Sequence, residues 1–65
     1  RKEALADAER AVALLPDKAY VWDTRGAIQE AMGNTRDAIS DYEKAVSLDA
    51  NLQSSKSALA RLKGK

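Results

Sequence analysis

Residues 37–50 read DAISDYEKAVSLDA, and residues 3–16, which lie 34 positions earlier, read EALADAERAVALLP. The two segments are identical at six of their fourteen positions, and Pro16 and Ala50 stand at matching ends. The identical pairs are Ala4/Ala38, Asp7/Asp41, Glu9/Glu43, Ala11/Ala45, Val12/Val46 and Leu14/Leu48. A period of 34 residues in a chain rich in alanine, leucine, glutamate and lysine indicates a helical repeat.

Turn-forming residues divide the chain into four predicted helices, near residues 2–14, 17–31, 35–48 and 52–62. Pro16 ends the first helix because proline disfavours the helical conformation in the residue before it. Gly33 supplies a left-handed stop after the second helix, and Asp17 and Asn51 are predicted to cap the helices that follow them. Such short connections require antiparallel neighbours, so we predict an all-α fold of about four helices with no strand.

The third predicted helix carries an apolar stripe. Ala38, Tyr42, Ala45 and Val46 follow the i, i+4, i+7, i+8 spacing of a buried face. Gly26 is small enough to let two helices approach closely beside Tyr42, and we place Trp22 in the same core. The opposite, polar face of the third helix is expected to carry Arg36, Asp37, Asp41 and Lys44.

Six residues stand at a defined spacing within one full period: Trp22, Gly26, Gly33, Ala38, Tyr42 and Ala45. Together with the 34-residue helix–turn–helix period, this pattern resembles the tetratricopeptide repeat (TPR). Arg25, Gln29 and Ala50 depart from it, because leucine, a large aromatic residue and proline are usual there. The resemblance implies a single TPR-like module, a fragment of an antiparallel helix–turn–helix solenoid. Its parts are the second helix of a preceding repeat (2–15), one full repeat (19–52) and a first-helix-like or capping helix (53–65).

Composition disfavours an enzyme. The chain has 65 residues without cysteine or histidine, so ordinary zinc, haem and iron–sulfur sites and the common nucleophilic triads are not available. No Asp-rich loop with a glycine turn suggests calcium, and no apolar run is long enough for a membrane span. We therefore predict a non-catalytic protein with no catalytic residue, metal, cofactor or membrane partner.

The formal net charge of +1 hides an uneven distribution. Residues 3–49 carry all ten acidic residues against five basic ones, whereas residues 50–65 carry four basic residues and no acidic one. An acidic body disfavours nucleic acid as a partner, and the basic tail is predicted to be a solvated helix end. Nucleic-acid contact through that tail is a distant third interpretation.

Two expectations concern the setting of the chain. The lack of cysteine fits a reducing compartment, so we expect a cytoplasmic location. The chain begins at Arg1 rather than methionine, so we expect it to be part of a longer protein.

The resemblance implies a peptide groove, because the first helix of each TPR lines a concave surface that holds a peptide. Five residues of the second predicted helix are the peptide-binding candidates: Tyr20, Asp23, Thr24, Ala27 and Glu30. Asp23 and Glu30 would make this groove acidic, so a neutral or basic protein or peptide is the expected partner. An ordinary amphipathic outer face has the same spacing and is the competing interpretation.

The family also has a carboxylate clamp, in which lysine, asparagine and arginine side chains grip the C-terminal carboxylate of chaperones. The matching positions here are Asp23, Thr24, Ala27, Ser54 and Ala58. None of them is cationic, so we predict no binding of the clamp type.

The alternative function is self-association. If residues 2–15 are the second helix of a repeat, one face of this helix should pack on the first helix of the same repeat. That first helix is not among residues 1–65, so we expect the face to be uncovered, although terminal repeats normally present a polar cap. The stripe predicted to meet a second copy of the chain consists of Ala4, Ala8, Ala11 and Val12. A homo-oligomer built through this stripe is therefore the second hypothesis.

Overall fold

The computed structural model describes residues 2–64, which form four helices in chain order. The helices are α1 (Lys2–Leu14), α2 (Ala19–Ala31), α3 (Thr35–Leu48) and α4 (Gln53–Lys63). α1 packs against α2, α2 against α3, and α3 against α4. No strand forms within residues 2–64, so the predicted all-α fold is confirmed.

The breaks between the helices fall where the sequence predicts them, but two predicted caps are wrong. Gly33 has φ +85°, the left-handed conformation that ends α2. Asp17 is not the cap of α2, because it lies in a turn with Pro16, and the extended Lys18 holds the cap position before the helix begins at Ala19. Asn51 does not cap α4 either: Leu52 holds that position, and the backbone N–H of Asn51 donates to Asp49 Oδ1 at 3.1 Å.

The main core lies between α3 and α4. Ala38 is 0% exposed and Tyr42 is 4% exposed, and both pack with Ala58 and Leu62 of α4. Ile39 and Leu59 complete the cluster at its border. The predicted burial of Ala38, Tyr42 and Ala45 is thus confirmed, whereas Val46, the fourth residue of the predicted stripe, is only half-buried.

Gly26 allows the close approach of α2 to α3. A Cβ atom at this position would lie 3.0 Å from both Cδ1 and Cε1 of Tyr42. The Tyr42 ring is held on its other side by α4, so it has little room to move away. A glycine at this point is therefore a packing requirement rather than a source of flexibility.

We predict that Gly26→Ala destabilises the chain by up to about 2 kcal/mol. Alanine gains about 1 kcal/mol of helix propensity over glycine, but overpacking a well-filled core costs about 1–3 kcal/mol. Urea unfolding followed by circular dichroism measures the difference. Ala27→Gly in the same helix is the control for propensity, since Ala27 is exposed and its loss should cost only about 1 kcal/mol. A more stable Gly26→Ala variant would contradict this packing.

Asp41 is buried, which corrects the expectation that it lies on the polar face. The residue is 4% exposed, and Arg25 of α2 donates to it from Nε at 3.0 Å and from a terminal nitrogen at 2.8 Å. These hydrogen bonds raise the pKa of Arg25 above its ordinary value. A charge-assisted bidentate pair thus joins α2 to α3 at the position where the family usually has leucine.

Trp22 lies beside this pair and is only half-buried, less than its predicted core position implies. Its indole N–H donates to the Pro16 carbonyl oxygen at 2.9 Å, which ties the α1–α2 connection to α2. The Arg25 guanidinium lies 5.0 Å and the Lys44 ammonium 5.7 Å from the ring centroid. Such cation–π contacts contribute about 0.5–1 kcal/mol each at partly exposed sites.

Candidate partner-binding surface

Three of the five predicted peptide-binding residues form one exposed stripe on α2. Tyr20, Thr24 and Ala27 are spaced four and three residues apart, so they lie on the same face of the helix. All three are exposed, and Tyr20 is 58% exposed. The opposite face of α2 is buried in the fold through Val21 and Gln29. We call Tyr20, Thr24 and Ala27 the α2 stripe.

Asp23 lies at the edge of the α2 stripe and is bound to the first turn of α4. Its Oδ2 accepts a hydrogen bond from the Ser54 hydroxyl at 3.1 Å, and its Oδ1 accepts one from the Ser55 hydroxyl at 2.5 Å. Ser55 is 0% exposed. The carboxylate therefore joins α2 to α4 and satisfies a buried hydroxyl group.

Glu30 lies on the same edge of α2 about two turns after Asp23. Its side chain connects α2, α3 and α4. Its carboxylate accepts a hydrogen bond from the Tyr42 hydroxyl at 3.0 Å. It also forms a salt bridge with Arg61 of α4, including a contact of 3.3 Å between a terminal nitrogen of Arg61 and Oε1. This charge is balanced within the fold.

The structure weakens the expectation of an acidic groove. Asp23 and Glu30 lie beside the α2 stripe, but Asp23 accepts hydrogen bonds from α4 and Glu30 forms a salt bridge with α4. Neither carboxylate is left to interact with solvent alone. Sequence reasoning missed Ser54, Ser55 and Arg61 as their partners. The resemblance of α4 to a first helix was the available signal, because it implies that α2 and α4 are neighbours.

Burial and the hydrogen bond to Glu30 raise the pKa of Tyr42 to about 12, compared with about 10 for an ordinary tyrosine. The folded state therefore favours the protonated phenol. This contribution to stability is fully present below pH 10 and is lost as the pH rises through about 12.

We predict that the chain loses stability as the pH rises between about 10 and 12, and that Tyr42→Phe makes it less sensitive to alkali because phenylalanine has no proton to lose. Two units of pKa correspond to roughly 2–3 kcal/mol. Circular dichroism against pH measures the midpoint. Tyr20→Phe is the matched control, since Tyr20 is exposed. Equal alkaline sensitivity of the wild type and the Tyr42→Phe variant would refute the assignment.

The stripe predicted for self-association is not an open stripe in the structure. Ala8 and Val12 are 5% and 8% exposed, because they lie on the side of α1 that packs against α2. Ala11 is half-buried and Ala4 is exposed. The assignment of Ala8 and Val12 to a free surface is therefore wrong.

The positions that match the carboxylate clamp carry no cation in the structure either. Ser54 donates to Asp23, Ala58 is buried in the core, and Arg61 is paired with Glu30. The α2 stripe therefore lacks an uncommitted cation for gripping a carboxylate.

The α2 stripe is an open helix face rather than a pocket. Residues 2–64 enclose no detectable cavity, and no three of their acidic side chains come together in a way that could hold a metal ion. None of the four helices is long and apolar enough to cross a membrane.

Comparison with known proteins connects this arrangement to a family. The tetratricopeptide repeat matches residues 19–52, which contain α2, the glycine turn and α3. The Hsp70-Hsp90 organizing protein of Triticum aestivum is 39% identical over 61 residues, which cover 94% of this chain and 10% of that protein. The chain thus spans about a tenth of the length of this curated relative. No solved structure matched the chain.

Proposed function

The chain belongs to the tetratricopeptide repeat family, and from this premise we propose that the α2 stripe binds a peptide segment of a partner protein. Family membership and the likeness to a co-chaperone support a protein–protein interaction scaffold. The proposed role is non-catalytic, and the proposed setting is the cytoplasm.

The exposure of Tyr20 is the observation that carries this proposal. An aromatic side chain that is 58% exposed lies on the same face as the small side chains of Thr24 and Ala27. Aromatic residues are enriched in protein interfaces, where they supply contact area at a low entropic cost. Small neighbours leave room for a peptide backbone to approach the helix.

The balance of charge favours a neutral segment over a strongly basic one. Glu30 is paired with Arg61, and Asp23 accepts two serine hydroxyl groups. Of the two expected partners, a neutral or a basic segment, we therefore propose the neutral one. The contacts of both carboxylates within the fold reduce the negative potential that would attract a basic segment.

The wheat relative is named for organizing Hsp70 and Hsp90, so the C-terminal peptides of these chaperones are natural probes. We propose that they bind this chain weakly or not at all through their carboxylates, since Asp23, Thr24, Ala27, Ser54 and Ala58 offer no positive charge. Fluorescence polarisation with labelled chaperone peptides, with and without a C-terminal amide, tests this. Tight binding that depends on the free carboxylate would contradict it.

We predict that Ala27→Arg reduces the affinity for neutral peptides, selected against the wild-type chain from a displayed random library, by tenfold or more. The long side chain would occupy the middle of the α2 stripe, and tenfold corresponds to about 1.4 kcal/mol. Fluorescence polarisation provides the dissociation constants.

Ser40→Arg is the matched control, since Ser40 is exposed on α3, away from the stripe. Both variants add one positive charge to an exposed helix position and should remain folded. If the library gives no binder, or if both variants weaken binding equally, the α2 stripe is not the binding surface.

A further inference from the structure

The first turn of α4 carries an exposed serine next to a buried one. Ser54 is exposed, whereas Ser55 is 0% exposed. The Asp23 carboxylate of α2 accepts hydrogen bonds from both hydroxyl groups, at 3.1 Å from Ser54 and at 2.5 Å from Ser55. One carboxylate thus connects a serine that solvent can reach to a serine that it cannot.

The backbone just before Ser54 is not helical. Asp49 and Leu52 are extended, and residues 50 and 51 lie in a turn. Only the first turn of α4 therefore has to open for the Ser54 hydroxyl to enter the active site of another enzyme, and helix ends open more readily than helix centres. Ser40 and Ser57, by contrast, lie in the middle of α3 and α4.

A lysine follows Ser54 at a spacing that occurs once in the chain. Lys56 lies two positions after Ser54, and no other serine or threonine is followed by a basic residue at this distance. Lys56 is exposed and forms no ion pair with any side chain in residues 2–64. A kinase with acidic groups in its substrate groove can therefore select Ser54 through this lysine.

We propose that Ser54 is a phosphorylation site and that its phosphate disconnects the first turn of α4 from Asp23. A serine/threonine kinase transfers the γ-phosphoryl group of ATP to Ser54 Oγ, the hydroxyl proton passes to the base of the kinase, and ADP leaves. The site lies at the contact between α2 and α4, and the proposal does not depend on peptide binding by the α2 stripe.

Phosphorylation removes the proton that Ser54 donates to Asp23 and adds a charge of about −1.5 to −2 at pH 7. The N-terminus of α4 favours this charge, but the helix dipole supplies only about half a positive charge. Asp23 opposes it with a full negative charge at hydrogen-bond distance. The residues three and four positions after Ser54 are Ser57 and Ala58, so α4 has no cation there to offset the phosphate. Repulsion therefore outweighs the dipole, and the buried Ser55 hydroxyl loses its acceptor when Asp23 moves away.

The first experiment measures whether the folded 65-residue chain is a kinase substrate. The chain is incubated with ATP and purified serine/threonine kinases that select a basic residue two positions after the serine, and mass spectrometry locates the phosphate. We expect phosphate on Ser54, at a rate that falls tenfold or more in Lys56→Gln. Lys63→Gln, the same charge change at the other end of α4, should leave the rate unchanged. Phosphate at other residues only, no phosphate, or an equal rate in Lys56→Gln would overturn the proposal.

The second experiment measures the contact itself in a chain synthesised with phosphoserine at position 54. Hydrogen exchange followed by nuclear magnetic resonance reports on the Lys56 amide, which donates to the Leu52 carbonyl oxygen at 3.1 Å in the first turn of α4. We expect the exchange of this amide to accelerate tenfold or more. Phosphoserine at position 40 is the matched control. Ser40 is exposed and lies one turn from Arg36 and Lys44, so its phosphate should leave the exchange unchanged.

Asp23→Asn separates charge repulsion from a general effect of the phosphate. The asparagine amide can donate to the phosphate while its oxygen still accepts from Ser55. In this background, phosphorylation of Ser54 should leave the exchange of the Lys56 amide unchanged or slow it, because the favourable dipole remains and the repulsion does not. Unchanged exchange in the phosphorylated wild-type chain, or equal acceleration with and without Asp23→Asn, would refute the disconnection of α4.

Discussion

Replacing Arg25 with leucine is expected to destabilise the chain by about 3–5 kcal/mol, although leucine is the usual residue of the family at this position. The change leaves Asp41 charged, 4% exposed and without the two hydrogen bonds that Arg25 donates. Removing one partner of a buried ion pair typically has this effect. Because a chain of this size has about 3–5 kcal/mol of net stability, the variant should be largely unfolded at 25 °C.

Urea unfolding followed by far-ultraviolet circular dichroism measures this loss. The double variant Arg25→Leu with Asp41→Leu should recover most of the stability, since apolar residues often replace a buried pair without loss. Lys63→Leu is the control for an exposed pair: Lys63 and Glu43 have side chains 56% and 51% exposed, and its loss should cost about 0–1 kcal/mol. A stable Arg25→Leu single variant would show that Asp41 does not need its partner.

The second large effect is expected for Tyr42→Ala, at about 3–5 kcal/mol, because it removes a buried aromatic ring that contacts two helices. The ring packs against Ala58 and Leu62, and its hydroxyl donates to Glu30. Tyr42→Phe keeps the ring and loses only the hydrogen bond, so it should cost about 0.5–1.5 kcal/mol. Thermal and urea unfolding of the two variants separate packing from hydrogen bonding.

A double variant checks the contact between the ring and α2. In the Tyr42→Ala background the space beside Gly26 is open, so Gly26→Ala should change from destabilising to stabilising by about 1 kcal/mol of helix propensity. This reversal of sign is specific to the 3.0 Å approach. Additive effects of the two substitutions would mean that the ring and the glycine do not constrain each other.

Helix-ending residues and the helical spacing of apolar residues were enough to predict the helices and the centre of the core. Pro16 and Gly33 act on the backbone within a few residues, so their effects are visible in the sequence. Ala38 and Tyr42 repeat at helical spacing on one apolar face, and both are buried as predicted.

Pairings between helices were not predictable from the same reasoning. Asp41 was placed on the polar face because aspartate is normally exposed, and its burial depends on Arg25, which lies in another helix. The partners of Asp23 and Glu30 come from α4, more than thirty residues away along the chain. Helical spacing also could not tell which neighbour a stripe meets, so Ala8 and Val12 were assigned to a free surface although they are buried.

The most direct test of the partner-binding account is a nuclear magnetic resonance titration of the labelled chain with the tightest neutral peptide selected from the random library. The account predicts that the largest amide shifts map to Tyr20, Thr24 and Ala27, and that Ala27→Arg abolishes them while Ser40→Arg does not. Shifts concentrated on the outer face of α3, or unchanged shifts in the Ala27→Arg variant, would contradict the assignment of the α2 stripe as the binding surface.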